Sequence, residues 1–338
     1  MEIKKTRDFD LYDVVISGDE QEKLEYARVQ LEGWVKTNRD NGSVGFIEFN
    51  DGTYFKNVQL VYNKECPSYS VLTALRTGAA IRVVGDVVET PENKQPFEIQ
   101  VIECELEGDV ADDYPLQKKR HTFDFLREIA HIRPRANTFQ AVYRVRSVLA
   151  MAIHEFFQQN GFIYVHTPLI TTNDGEGAGN VFDVVTHDTK DPNSFYGRKV
   201  NLTVTGQLHV EPFALAFRDV YTFGPAFRAE HSNTVRHASE FWMIEPEIAF
   251  ADLEDDMNLI EASLKFCINY ALNEDMYVIV NDHWDGSWWG MYGSASPETR
   301  EKANELYVPK SSFVYDSINA NTVKKIPTKN GGYFCLTI

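Results

Sequence analysis

Residues 220–250, VYTFGPAFRAEHSNTVRHASEFWMIEPEIAF, hold the densest set of side chains able to do chemistry. Two alternating runs flank the polar segment HSNTVRHAS, the pattern of a long hairpin. Arg228 and Glu230 stand two residues apart at the end of the first run and so share a face. Arg236 and His237 sit in the connecting loop, and Phe241 opens the return run. A guanidinium fork matches phosphate or carboxylate oxygens, a carboxylate accepts from an exocyclic amine, and an aromatic ring stacks on a base. Held on one platform, these side chains could bind a nucleotide. On an ordinary hairpin they would be a surface ion pair beside a core aromatic. The hairpin alone fits both readings.

Such a platform needs a sheet and helices to back it. The run NTFQAVYRVRSVLAMAIHEFFQQNGF has apolar residues at three- and four-residue steps, which predicts a long amphipathic helix. Gly161 closes it, and the apolar strand FIYVHTP ends at Pro168. After the looped segment TTNDGEGAGNVF come three strand-like stretches: KVNLTVTGQ, DVYTFGPAFRAE and EFWMIEPEIAF. The helical segment LHVEPFALAFR separates the first two, and LEDDMNLIEASLKFCINYAL follows as another helix. This mixture predicts an α+β domain around an antiparallel sheet, over residues 136–275.

The preceding sequence has a different texture. Residues 1–27 are polar and mixed in charge, with a weak helical pattern, and read as an N-terminal extension. Residues 28–108 hold five short alternating strands separated by turn signals such as Asn41-Gly42 and Asp51-Gly52, with the helical piece SVLTALRTG between the third and fourth. Strand-strand-strand-helix-strand-strand is the order of an OB-fold β-barrel, and any small barrel or sandwich is the alternative. Residues 109–135 form a polar hinge carrying Lys118, Lys119, Arg120, Arg127, Arg133 and Arg135. It reads either as a solvated linker or as a basic segment beside a polyanion.

Composition excludes several classes. The chain has 33 Lys+Arg against 50 Asp+Glu, a formal charge of −17, so no global basic field draws in nucleic acid. The N-terminus has no apolar core of a secretory signal, and no apolar run approaches the roughly 20 residues of a membrane helix. Cys66, Cys104, Cys267 and Cys335 lie far apart, without the spacing of a zinc site or a disulfide framework. A cytoplasmic protein is the expectation.

Phe227-Arg228-Ala229-Glu230 resembles the F-R-x-E core of motif 2 in class II aminoacyl-tRNA synthetases. The helix and strand from Arg144 to Pro168 resemble motif 1. YPLQKKRHTFDFLREIAHIRPR is similar to the connector between OB-fold and catalytic domain in the aspartate, asparagine and lysine subgroup. VTGQLHVE and EFWMIEPEIAF are similar to the asparaginyl branch, whereas aspartyl enzymes carry a QSPQ-type segment at Val204 to Gln207. The resemblance covers residues 1 to about 275. It implies that Arg228 bridges the α-phosphate of ATP and the amino-acid carboxylate, the central catalytic contact. Glu230 would face the adenine side, Arg236 and His237 the triphosphate, and Phe241 would stack on adenine. Glu176, on a loop over the amino acid, would meet its ammonium group, and Gln207 would line the same pocket. In the barrel, Phe46 and Gln59 fall where related OB-folds stack on and hydrogen-bond an anticodon base, with Lys36 and Arg39 on the rim. Taken alone, Phe46 also fits a strand core.

The resemblance therefore implies an asparagine–tRNA ligase with ATP, asparagine and tRNA as substrates, magnesium accompanying ATP, and a homodimer built through motif 1. No glycine-rich third motif with its Arg, and no acidic segment supplying magnesium ligands, follows residue 275. The expectation is a C-terminally incomplete catalytic domain. Residues 276–307 instead resemble an internal fragment of a family-5 cellulase, too short to close a barrel or to supply two catalytic glutamates. Residues 276–338 thus read as an atypical tail produced by fusion or by an assembly error. The rival from another class is a catalytically inactive tRNA- or RNA-binding protein that uses only the OB-fold.

Overall fold

A computed structural model describes residues 3–273 except 94, 176–179, 187–190, 192, 194, 233, 235 and 236, together with 279–280 and 335–336. The chain divides into two compact units, Met1–Tyr143 and Arg144–Ile338.

The first unit is a closed barrel. Strands β1 (Lys4–Lys5), β2 (Arg28–Asp40), β3 (Val44–Asn50), β4 (Val58–Asn63), β5 (Ala80–Glu89) and β6 (Phe97–Gly108) run in the order β1-β2-β3-β4-β6-β5, and β5 pairs back onto β2. The β4–β6 pairing is parallel, and the β2–β3, β3–β4, β5–β6 and β2–β5 pairings are antiparallel. Between β4 and β5 lies a short helix, Tyr69–Ala74. This is the five-stranded OB-fold order expected from the sequence. Alternation explains it: Ile47 and Phe49 of β3 point inward and are fully buried with Leu31, Leu60, Ile81 and Ile99, while Phe46 and Glu48 face outward. Gly45 is required by packing, because a methyl there would run into the Tyr62 ring.

Residues 1–27 are not a free tail. Helix α1 (Asp8–Ser17) buries Leu11, Tyr12 and Val15 in the barrel core cluster. The Tyr12 hydroxyl donates to the Asn57 carbonyl at 2.7 Å. Asp8 and Asp51 exchange hydrogen bonds, each backbone N–H donating to the other's carboxylate at 2.8 Å. Burial, reinforced by the Asp51 charge, pushes the Asp8 carboxyl up to about 8. A second short helix, α2 (Glu20–Glu25), starts in a capping box between Asp19 and Glu22.

The hinge is clamped to the barrel. The Arg135 guanidinium lies 5.7 Å from the Trp34 ring and 5.8 Å from the Tyr114 ring, and it donates to the Tyr114 hydroxyl at 3.2 Å.

The second unit is built on helices and a small sheet. Helix Asn137–Gln159 starts in the last residues of the first unit, and Leu253–Asn273 is its long partner. Strands Ile163–Tyr164, Asp219–Phe227 and Glu240–Ile248 form the sheet, with the central strand antiparallel to the last and parallel to the first. The sheet is therefore mixed rather than purely antiparallel. Phe156, Phe157 and Phe162 pack with Tyr221, Phe223 and Ile248 on one face, and Leu259, Phe266 and Cys267 of the second long helix join them. Phe157 and Tyr221 stack at 4.6 Å. On the other face, helix Gln207–Phe217 covers one end through Val210 and Ala214 against Val220.

The expected strand KVNLTVTGQ contracts to Asn201–Leu202, which pairs with Ile170–Thr171. Beyond it the Thr203 N–H still donates to the Leu169 carbonyl at 2.8 Å and its carbonyl accepts from the Phe227 N–H at 2.8 Å, while the Thr203 and Thr205 hydroxyls donate to the Thr205 carbonyl and the Glu245 carboxylate.

Candidate functional site

Pairing in the Asp219–Phe227/Glu240–Ile248 hairpin decides which side chains share a face. Thr222 pairs with Glu245, Gly224 with Met243 and Ala226 with Phe241, and the Arg228 N–H continues the ladder to the Ser239 carbonyl at 3.1 Å. Arg228, Phe241, Met243 and Glu245 thus lie on the face opposite the aromatic core. The Arg228 guanidinium sits 5.3 Å from the Phe241 ring, reaches the Val204 carbonyl with Nε at 3.4 Å, and places Nη2 4.0 Å from Met243 Sδ. It therefore folds back from the strand end to the level of Gly224.

Glu245 is a site residue that the sequence reading did not single out. Its carboxylate accepts from the Gly206 N–H at 2.9 Å, from the Thr222 hydroxyl at 3.1 Å and from the Thr205 hydroxyl. Gly206 must be glycine here, since a Cβ would meet Thr222 Oγ1 at 2.8 Å and Glu245 Oε2 at 3.0 Å. The available signal was period-two spacing: Glu245 stands four residues after Phe241 on one strand and so shares its face. Beside it, the Glu247 carboxyl is held above its ordinary value by burial, with repulsion from Glu211 and Glu245 adding to the effect.

Gln207 opens its helix next to this anchor, its N–H donating to Thr205 Oγ1 at 3.1 Å and its amide to Glu211 at 3.1 Å. Glu230 lies beyond the strand end and is exposed. His237 is exposed too, its Nδ1 in a hydrogen bond with the Thr234 hydroxyl. Arg236 and Glu176 lie outside the described residues. The chain leading to Glu176 is held as far as Gly175, whose N–H donates to Asn173 at 3.0 Å, while Asn201 donates to the Asn173 carbonyl at 3.1 Å.

The barrel carries a concavity of about 350 Å³, lined by Arg39, Asp40, Asn41, Phe46 and Gln59. Three of the four barrel residues proposed from the sequence, Arg39, Phe46 and Gln59, thus come together. Arg39 and Phe46 are directly opposed across β2 and β3, and Gln59 donates to Glu98 at 3.3 Å. Lys36 is not among the lining residues. It sits where the β2–β3 register shifts between Val35 and Thr37, and its ammonium donates to the Arg135 carbonyl at 2.9 Å. Burial, with the neighbouring Arg135 charge, lowers its pKa to about 8.

Residues 124–310 match the family model for tRNA synthetases class II (D, K and N), and residues 29–107 match that for the OB-fold nucleic acid binding domain. The chain belongs to the class II tRNA synthetases of the D, K and N group. The synthetase match runs past residue 275, where the motifs seen in the sequence end. Most of residues 274–310, and with them most of the segment likened to a cellulase, lie outside the described ones.

Asparagine–tRNA ligases from Clostridium botulinum and Acetivibrio thermocellus are each 56% identical to it, over 257 and 256 residues. Those alignments cover 73% and 72% of this chain and 55% of each relative, so the chain spans about half the length of the curated relatives it matches. The asparaginyl-tRNA synthetase from Pyrococcus horikoshii complexed with asparaginyl-adenylate is similar in structure, with a TM-score of 0.65 and 27% identity over 73% of this chain and 55% of that one. The Entamoeba histolytica asparaginyl-tRNA synthetase shares the fold, with a TM-score of 0.66 and 21% identity over 81% of this chain and 60% of that one.

Among the described residues no helix is long and apolar enough to cross a membrane, and no cluster of three or more His, Cys, Asp or Glu side chains could hold a metal ion.

Proposed function

We propose that the described residues supply the anticodon-reading barrel and the adenylate-holding platform of a cytoplasmic asparagine–tRNA ligase. In that reaction an asparagine carboxylate oxygen attacks the α-phosphorus of ATP, and the bond to pyrophosphate breaks. A hydroxyl of the terminal ribose of tRNA then attacks the acyl carbon, giving up its proton, and AMP leaves. The observation that carries the reading is one sheet face carrying both Arg228, whose guanidinium rests against Met243, and Glu245, which follows Met243 by one same-face step on the strand.

Arg228 neutralises the two anions that must meet, the carboxylate and the α-phosphate, without reorganising at the moment of reaction. Phe241, against the guanidinium, offers a ring to adenine, with Glu230 on its outer side and Arg236 and His237 for the triphosphate. Glu176 takes the ammonium group, and Gln207 lines the same pocket.

Glu245 supports asparagine over aspartate. An ionised carboxylate accepts at about four sites, and three donors already hold this one, leaving capacity for an amide N–H. An aspartate side chain at the same place would bring a second negative charge and no donor. Magnesium enters only as the companion of ATP, with no ligand set among the described residues.

In the barrel, Phe46 stacks on a single-stranded base and Gln59 reads its edge, with Arg39 near the phosphates. Lys36 acts on tRNA through the Arg135 hinge rather than from the pocket. An RNA-binding protein without ligase chemistry would use this pocket equally, but it gives no role to the anchored Glu245 or to the back-folded Arg228.

Calorimetric titration with asparagine and with aspartate, each in the presence of ATP, tests the reading. Tighter binding of asparagine is expected. A clear preference for aspartate overturns it.

A further inference from the structure

Glycines inside the strands divide by what a side chain would meet. At Gly33, Gly45 and Gly85 an added Cβ would come closer than 3.0 Å to Phe49, Tyr62 and Ile99 respectively, so the barrel's own packing demands glycine. Gly224 is different. It lies mid-strand in Asp219–Phe227, outside the left-handed backbone region, and apart from its two chain neighbours no described residue has an atom within 4 Å of where its Cβ would be. Neither backbone conformation nor packing among the described residues requires glycine there, although glycine weakens a strand interior.

The open space has a definite address. Gly224 pairs with Met243, the residue against which the Arg228 Nη2 rests at 4.0 Å, and the neighbouring same-face pair is Thr222 with Glu245. The missing side chain therefore leaves open space beside the guanidinium, one same-face step from the anchored carboxylate. Ala226, paired with Phe241, is the next residue on this face, and Gly206 closes against Thr222 on the Glu245 side, so the gap is bounded along the strand. An amino acid with its carboxylate at Arg228 and its amide at Glu245 must lie across Gly224.

We infer that Gly224 is a specificity-determining residue: its bare backbone is the floor on which the aliphatic carbons of the bound asparagine rest, and it sets how deep the substrate lies between Arg228 and Glu245. The inference rests on the asparagine reading of this face given above. Any side chain at position 224 lifts the substrate from one of its two polar anchors, while the empty protein accepts it without strain.

The test uses the full chain, the Gly224→Ala and Gly224→Val variants, and asparaginyl sulfamoyl-adenosine, a non-hydrolysable mimic of the adenylate. Unliganded melting temperatures are expected to equal or exceed that of the wild type, since a β-branched residue suits an open strand face. Calorimetric dissociation constants are expected to rise about 10–200-fold for Gly224→Val, the range one misplaced methylene group produces in a fitted pocket, and less for Gly224→Ala. ATP affinity without the amino acid should stay at the wild-type value. Equal affinity of wild type and Gly224→Val for the mimic overturns the inference alone. Collapse of the melting temperature in both variants also overturns it, because the space would then be filled in the folded protein. Failure of the wild-type chain to bind the mimic overturns the underlying reading of the site, and the inference with it.

Discussion

Phe46 and Ile47 are sequence neighbours with opposite fates, and the contrast separates recognition from stability. Phe46 lines the barrel concavity opposite Arg39, whereas Ile47 is fully buried. Phe46→Ala is expected to weaken tRNA binding by about 1–3 kcal/mol while the melting temperature holds. Ile47→Ala is expected to cost about 2–5 kcal/mol of stability. Measuring tRNA affinity and thermal unfolding on both variants checks this. Lost stability in Phe46→Ala with unchanged affinity would return that residue to the core. Arg228 makes a sharper demand, because its planar fork lies over the Phe241 ring and, in the proposed reading, also meets two anions. Arg228→Lys keeps the charge and loses the fork. The dissociation constant for the adenylate mimic, compared in wild type and variant, should rise at least about tenfold if the fork matters; unchanged binding would mean that charge alone suffices.

At the scale of elements, docking of α1 onto the barrel has a pH signature. Asp8 is pushed from 3.8 up to about 8, so between those values the folded state binds the proton that the unfolded chain has lost. Its contribution to stability is full below the ordinary aspartate value and is lost progressively as pH rises towards 8. Melting curves of wild type and Asp8→Asn across pH 4–9 should therefore diverge, the variant gaining relative to the wild type as pH rises. Parallel curves would show that Asp8 titrates as an ordinary surface carboxylate.

The same element shows where sequence reading stops. The barrel strands were legible because alternation repeats over each of them, and the Arg228–Phe241 hairpin because period two fixes its faces. Helix α1 was not, since its buried side consists of little more than Leu11, Tyr12 and Val15, too few to mark a face. Nor was the fate of Lys36, which depends on a bulge and on the carbonyl of Arg135, far along the chain. Glu245 escaped notice as one of three glutamates in its strand, because its meaning lies in donors from Thr205, Gly206 and Thr222. A strand as short as Asn201–Leu202 is set by tertiary contacts rather than by pattern.

For the whole molecule, two properties remain to be measured: its association and its selectivity. The long helix Asn137–Gln159 buries Leu149, Ile153, Phe156 and Phe157 within its own unit yet leaves Met151 exposed, as are Ile163 and Tyr164 of the following strand. This is the face expected to form a two-fold homodimer. Sedimentation at micromolar concentration should show a dimer that Met151→Glu shifts towards monomer, and a strictly monomeric wild type would remove the claim. Selectivity tests the account most directly, since it requires Arg228, Gly224 and Glu245 to act as one surface. The decisive measurement is the ratio of dissociation constants for asparaginyl and aspartyl sulfamoyl-adenosine, taken on the wild type and on Glu245→Gln. The account predicts that the wild type favours the asparaginyl mimic by at least about tenfold, the factor 1.4 kcal/mol supplies, and that Glu245→Gln loses most of that preference. An aspartyl preference in the wild type, or a ratio unchanged by the substitution, would contradict it.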